Sequence, residues 1–141
     1  MSETTKAGAF SAEERDAMKE RAKESRRSGK AAEGEKDLLA KIAEMDDADR
    51  VMAERIHDLV TRTAPQLAPK TWYGQPAYAK DGKVVVFFQA ASKFKTRYAT
   101  LGFNEEANLD DGTMWPTAFA LTGLSGADEE RIVELVKKAV G

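Results

Sequence analysis

The chain has no cysteine, and this excludes disulfides, thiolate metal sites and a cysteine nucleophile. The absence fits a reducing compartment. The first ten residues contain no apolar segment of the signal-peptide type, and no apolar run is long enough to span a membrane. We therefore expect a soluble cytoplasmic protein.

The chain also lacks an excess of either charge: 22 Lys and Arg face 24 Asp and Glu, for a net charge of −2. Nucleic-acid binders usually carry a strong basic excess on one face, so we expect no nucleic-acid partner. His57 is the single histidine. It lies beside Asp58 on a predicted helix, which is typical of a half-exposed surface residue. No residue pattern assigns a catalytic group, and we expect a protein that is not an enzyme.

Leucine, isoleucine and valine are absent before Leu38. Ser11 and Glu14 have the spacing of a capping box, which predicts a helix from Ser11 to about Arg27. Its apolar face is thin, and Gly29 and Gly34 are expected to interrupt the chain. We predict that residues 1–34 form a charged helical arm, mobile or loosely docked, and that residues 35–141 form the folded domain.

The domain is predicted to begin with two helices and to end with one. Apolar residues at helical spacing indicate a helix from Leu38 to Met45 and a second one that ends before Pro65. The side chain of Asp46 or Asp47 is expected to cap the second helix. The last helix follows the capping box that Ser125 opens.

Between the helices, the pattern is that of β-strands around a hairpin turn at Asp81-Gly82. The predicted strands are Ala77–Lys80, Lys83–Phe88, Lys93–Tyr98 and Thr117–Leu121. The order of elements predicts an α+β fold, an antiparallel sheet of about four strands with helices packed on one face.

Ten of the eleven aromatic residues lie between Trp72 and Phe119. Glycine and proline beside them indicate a rigid turn, which could be either a corner of the core or the wall of a ligand pocket. In the second interpretation the pocket lies between the turn at 72–78 and the loop at 110–115, with cations at its mouth. The predicted ligand-binding residues are Trp72, Tyr73, Tyr78, Lys95, Arg97 and Trp115.

The aromatic block resembles the YdhG-like domains, a bacterial family largely of unknown function. The resemblance covers about residues 36–141 and rests on the segment at 72–78, Phe87-Phe88, the Lys93–Lys95 segment and Trp115-Pro116. Where the family commonly has methionine, this chain has Gln75. Members have been likened to frataxins and labelled iron chaperones, so the resemblance implies Fe²⁺ binding through rows of surface carboxylates. Those acids here would be Glu44, Asp46, Asp47, Asp49, Glu54 and Asp58.

A second group of acids lies in the segment at 104–112, where hard cations could find oxygen ligands, although Asp and Asn are also ordinary turn residues. No metal ligand is assigned. The leading hypothesis is a small cytoplasmic non-enzymatic binding module, with an unknown small anionic ligand or a protein partner held in an aromatic pocket with a cationic rim. The alternative is a weak iron-binding protein that uses surface carboxylates.

Overall fold

The structure, a computed structural model, describes residues 11–141, and it confirms the α+β fold. The part of the predicted arm before Ser11 lies outside the described residues. In chain order the elements are α1 (Ala12–Ala43), α2 (Asp47–Thr63), β1 (Ala68–Trp72), β2 (Gln75–Lys80), β3 (Lys83–Gln89), α3 (Ala91–Phe94), β4 (Ala99–Phe103), β5 (Ala118–Leu121) and α4 (Gly126–Val140). None of the helices in this part of the chain is long and apolar enough to cross a membrane.

By their contacts, residues 11–32 belong to one compact unit and Glu33–Gly141 to another. The predicted interruption at Gly29 and Gly34 is wrong, because α1 continues through both glycines to Ala43. A glycine inside a helix costs only about 1 kcal/mol relative to alanine. Gly34 instead permits a close approach, since a Cβ there would lie 2.3 Å from the carbonyl oxygen of Pro69. Because of this close approach, the part of α1 that belongs to the second unit lies against β1.

The sheet has five strands in the order β1-β2-β3-β4-β5, and every neighbouring pair is antiparallel. Two of the five strands, β1 and β4, are not among the four predicted strands. The predicted hairpin is confirmed, because Asp81 and Gly82 both have positive φ between β2 and β3. The register shifts between Tyr78 and Ala79, so that β3 carries one extra residue. As a result both Val85 and Val86 belong to the hydrophobic core.

The predicted strand Lys93–Tyr98 is wrong. Ala91–Phe94 form the short helix α3, and Lys95 ends it in a left-handed conformation at φ 54°. The reason is a contact from a distant part of the chain: the carboxylate of Asp49 on α2 accepts hydrogen bonds from the backbone amides of Ala91 and Ser92. Asp49 thus caps the first amides of the helix α3, and these amides do not pair with a neighbouring strand.

The helices cover the sheet face that carries Tyr78, Phe88 and Leu101, which are at most 1% exposed. Two helix boundaries agree with the predicted signals. The helix α2 ends at Thr63, before Pro65, and the capping box of Ser125 opens α4. Asp46 occupies the position before α2, but its side chain makes no capping hydrogen bond.

Candidate functional site

The structure does not bring the six predicted ligand-binding residues together. Trp72 is on the edge strand β1, where its indole contacts the rings of Tyr73 and Phe87. Trp115 precedes β5 at the opposite edge of the sheet and packs against the core. Tyr78 lies in the core at 1% exposure, whereas Tyr73 is 79% exposed.

The two predicted rim cations lie between α3 and β4, where both are exposed. The guanidinium of Arg97 is 5.2 Å from the centroid of the Tyr98 ring. Lys95 provides the left-handed residue that ends α3. Neither side chain lines the cleft described next.

A cleft of about 400 Å³ lies where four segments of the second unit meet: the α1–α2 turn, the β1–β2 turn, the end of β3 and the beginning of α3. Ligand pockets of this volume are common in proteins. The cleft is lined by Lys41, Glu44, Met45, Asp46, Gly74, Gln75, Pro76, Phe88, Ala90, Ser92 and Lys93.

Gln75 is the unusual member of this lining. Only 7% of the residue is exposed, and its Oε1 has no hydrogen-bond partner among the residues that the structure describes. Its Nε2 donates only a long hydrogen bond, 3.4 Å, to the carbonyl of Trp72. An unpaired buried acceptor costs about 1–3 kcal/mol, and buried side-chain acceptors in folded proteins nearly always have a partner. This atom therefore calls for a donor that the described chain does not supply.

The β1–β2 turn is held in place by Lys93. Tyr73 and Gly74 both have positive φ, which is the geometry of a tight hairpin turn. The Nζ of Lys93 donates to the carbonyl oxygens of both residues at 3.3 Å. A Cβ at Gly74 would lie 2.5 Å from that Nζ, so glycine makes room for the ammonium. The turn thus positions a cation at the cleft.

The remaining charges of the cleft belong to the α1–α2 turn. Lys41 Nζ is 3.7 Å from Glu44 Oε1, a loose and exposed ion pair. Such pairs contribute between about 0 and 1 kcal/mol, so both groups can turn to another partner at low cost. Asp46 is also exposed. The described lining therefore carries two cations and two anions.

The wall formed by α3 is anchored by Asp49, which is 4% exposed. Its Oδ2 accepts from the hydroxyl of Ser92 at 2.6 Å, in addition to the two amide bonds. Burial alone would raise the pKa of Asp49, but the hydrogen bonds from Ser92 and Ala91 outweigh it and lower that pKa. Asp49 is thus an ionised structural residue, and its oxygens are already occupied.

His57 belongs to a partly buried hydrogen-bond network, so the expectation of a half-exposed surface residue is wrong. Its side chain is 13% exposed, with Nδ1 2.9 Å from Tyr78 Oη and Nε2 2.9 Å from Glu35 Oε2. Burial, and then the charge of Glu35, raise the pKa of Tyr78, which keeps its phenol protonated. Both ring nitrogens thus have a hydrogen-bond partner, and the tautomer of the ring sets which of them donates. The only sequence signal for this network is that His57 lies next to an apolar stripe.

Two of the six acids that the resemblance implies for iron are closely paired with arginines. Asp47 bonds Arg50 at 3.0 Å, and Asp58 bonds Arg55 and Arg62, each at 2.9 Å. Of this set, only Glu44 and Asp46 line the cleft.

In the acid-rich segment at 104–112, Ala107 and Leu109 are buried. The amide of Asn104 donates to the carbonyl of Val85, and the amide of Asn108 donates to that of Ala139. Within residues 11–141 no three His, Asp or Glu side chains are grouped so as to hold a metal ion.

Comparison with known proteins gives no match for this chain, whether with family models, curated proteins or solved structures. The membership in the YdhG-like family stays a prediction. The arguments for function that follow therefore rest on the site itself.

Proposed function

We propose that this protein is a small non-enzymatic binding module whose ligand occupies the cleft beside Gln75. The observation that carries the proposal is the unpaired, buried Oε1 of Gln75 in the lining of a cleft of about 400 Å³. A polar group kept at a cost in stability is typical of a binding site, where a ligand supplies the missing hydrogen bond.

The surroundings of Gln75 support this proposal. Apolar surface from Met45, Pro76 and Phe88 alternates with the charges of Lys41 and Lys93 in the lining. Polar and apolar groups thus share the lining, and small-molecule sites use such polar groups to orient a ligand. The cationic rim predicted from the sequence is thus proposed at these two lysines, in place of Lys95 and Arg97.

The test is a screen of small-molecule mixtures against the ¹⁵N-labelled full chain, followed by backbone-amide NMR. A ligand of the cleft is expected to shift the amides of Gly74, Gln75 and Ala90–Lys93 in a saturable manner. The variant Gln75→Met should lose the shifts, because methionine has nearly the same shape but accepts no strong hydrogen bond. Binding that is unchanged in this variant would contradict the proposal, as would a screen that shifts none of these amides.

The alternative proposal is weak Fe²⁺ binding. Its specific support is that Glu44 and Asp46 both line the cleft and both are exposed. Two carboxylates are few for a hard cation, which prefers six or more oxygen ligands, so water would have to complete the coordination. An anaerobic Fe²⁺ titration of the variant Glu44→Gln with Asp46→Asn, beside the unchanged chain, tests this alternative.

A further inference from the structure

We infer that this protein forms a two-fold symmetric dimer in which the edge strand β5 pairs with the β5 of a second copy. The inference goes beyond the proposed function, because the strand and the cleft have no residue in common. Three observations carry it: an unprotected sheet edge, a surface without charge, and a projecting side chain that matches a groove on the same chain.

The two edges of the sheet differ in how they are protected. Natural sheets protect their edge strands with proline, lysine or a covering element, because exposed backbone groups invite pairing with another strand. The strand β1 contains Pro69 and Lys70, and Gly34 of α1 lies against the carbonyl of Pro69. The strand β5 contains neither proline nor a charged residue, and no further strand of the described chain pairs with it. Only β1 is therefore protected.

The backbone groups of Ala118 and Ala120 point away from the sheet. The carbonyl of Thr117 accepts a hydrogen bond from the amide of Phe103 on β4. Because alternate residues of an antiparallel strand bond to the same neighbour, the N–H and C=O groups of the two alanines face outward. No other segment of the described chain bonds to these groups. In an antiparallel pair of β5 strands centred on Phe119, each Ala118 lies opposite Ala120 of the second copy, and the two residues exchange backbone hydrogen bonds.

The surface around β5 carries no charge. Residues 112–127 are the longest stretch of the chain without a charged side chain, although 33% of all residues are charged. Only Leu121 in this stretch is buried, so the core does not explain the missing charges. Charged residues are depleted in the central part of protein interfaces. In a two-fold pair, moreover, a charge on this strand would face a like charge of the second copy.

The chain also carries a projecting apolar side chain and an apolar groove near the two ends of β5. Met114, which precedes the strand, is 88% exposed. A groove of about 760 Å³ lies between α2 and the segment that follows β5, and its apolar lining includes Val51, Met52 and Leu124. Val51 is 59% exposed, so apolar surface is open to solvent in this groove.

The two-fold axis brings the projecting side chain and the groove together. When Phe119 lies opposite its own copy, the residue five positions before it lies opposite the residue five positions after it, because the strands run in opposite directions. Met114 of each copy then lies opposite Leu124 of the other, at the groove. The symmetry repeats this contact. Complementary features on one chain favour a second copy over an unrelated partner.

The test measures the mass of the full chain by sedimentation equilibrium, from low micromolar to near-millimolar protein. We expect a reversible equilibrium between monomer and dimer. Ala120→Pro removes an outward N–H that β4 does not use, so the fold should persist while association weakens at least about tenfold. The matched control Ala120→Thr keeps this N–H and suits a strand, so it should dimerise like the unchanged chain. An unchanged chain that stays monomeric over the whole range overturns the inference.

A second pair of variants tests the groove. The charged lining of the groove is mostly acidic, with the carboxylates of Asp47, Glu54, Asp58 and Glu129. Met114→Asp should therefore weaken association at least about tenfold, whereas Met114→Leu should leave it unchanged. Because Met114 is exposed in the single chain, circular dichroism should show the same fold for both variants. A dimer that forms equally well with Met114→Asp uses another surface and contradicts the inference.

The absence of cysteine allows a direct test of the orientation, since Met114→Cys and Leu124→Cys each introduce a single thiol. In the antiparallel dimer a short bismaleimide should cross-link a mixture of the two variants into a covalent dimer. Neither variant alone should cross-link, because its two thiols then lie at opposite ends of the paired strands. A mixture that does not cross-link, or a cross-link within one variant alone, contradicts the proposed arrangement.

Discussion

Gln75 and Tyr78 are separated by two residues on β2, and both are buried polar side chains, but their surroundings differ in one respect. The hydroxyl of Tyr78 is hydrogen-bonded to Nδ1 of His57, and Nε2 of His57 to Glu35, so the phenol and both ring nitrogens have partners. Gln75 Oε1 has none in the described chain. A satisfied network stabilises a fold, whereas an unsatisfied atom destabilises it. The comparison therefore separates a structural region from a candidate binding region within one strand.

The largest effect on stability is expected from substitution of Asp49, whose carboxylate accepts three hydrogen bonds. Asp49→Ala removes the acceptor of three hydrogen bonds from Ala91 and Ser92, two of them from backbone amides. Because three hydrogen bonds to an ionised acceptor would be lost, we expect the free energy of unfolding to fall by about 3 kcal/mol. Urea denaturation followed by circular dichroism measures this loss.

Two controls sharpen that prediction. Asp46→Ala should cost less than about 0.5 kcal/mol, since this aspartate makes no capping hydrogen bond. The contribution of Asp49 to the free energy of unfolding should also depend on pH. Its folded-state pKa is lowered, so the stabilisation is complete above its unfolded pKa and is lost as the pH falls through the folded value. A loss in Asp49→Ala that is independent of pH in the acid range would contradict this account.

The next largest effect is expected in the network of Tyr78. His57→Leu leaves the buried phenol without its hydrogen-bond partner, and we expect the free energy of unfolding to fall by about 2 kcal/mol. Tyr78→Phe should cost about 1 kcal/mol, and the double variant less than the sum of the two, because the residues share one hydrogen bond. Thermal unfolding of the four chains completes the cycle.

The matched control for this cycle is Tyr73→Phe. This hydroxyl is on a residue that is 79% exposed, and its removal should change stability by less than about 0.5 kcal/mol. If the losses in stability from the His57 and Tyr78 substitutions add fully, the two side chains are not coupled. That result would contradict the hydrogen bond between them.

The fold was predictable where local signals decide the structure. Pro65 ends α2, Asp81-Gly82 forms the hairpin, and the capping box of Ser125 opens α4. Local patterns failed where distant contacts decide. The alternation of Lys93–Tyr98 indicated a strand, but its structure depends on Asp49, which is more than forty residues earlier.

The candidate site was less predictable, because its members come from four separate segments. Gly74 and Gln75 lie in the aromatic block, but nothing local indicates that the α1–α2 turn and α3 meet there. His57 was interpreted from its neighbour Asp58, whereas its actual partners, Glu35 and Tyr78, are 22 and 21 residues away. Burial of a polar atom without a partner is a property of packing, and the sequence gives no signal for it.

A smaller effect of opposite sign is expected at Gln75. Gln75→Met should raise the free energy of unfolding by about 1 kcal/mol, because it replaces an unpaired buried acceptor with an apolar side chain of similar shape. The same substitution should abolish binding in the NMR screen. Gain of stability with loss of binding is the signature of a polar residue kept for a ligand. If Gln75→Met destabilises the domain, its amide is structural, and the contrast with Tyr78 disappears.

The smallest effect is expected from the addition of Fe²⁺, measured on the backbone-amide spectrum. Three acids of α2 are engaged, Asp47 and Asp58 by arginines and Asp49 by the α3 amides, and only two carboxylates line the cleft. In an anaerobic titration at micromolar metal we therefore expect no saturable broadening of the backbone amides. Localised broadening around residues 44–58 that is absent in Glu44→Gln with Asp46→Asn would favour the alternative function. Because Gln75→Met leaves both carboxylates in place, iron binding would persist in that variant and the shifts caused by the cleft ligand would not, so the two functions can be told apart in one protein.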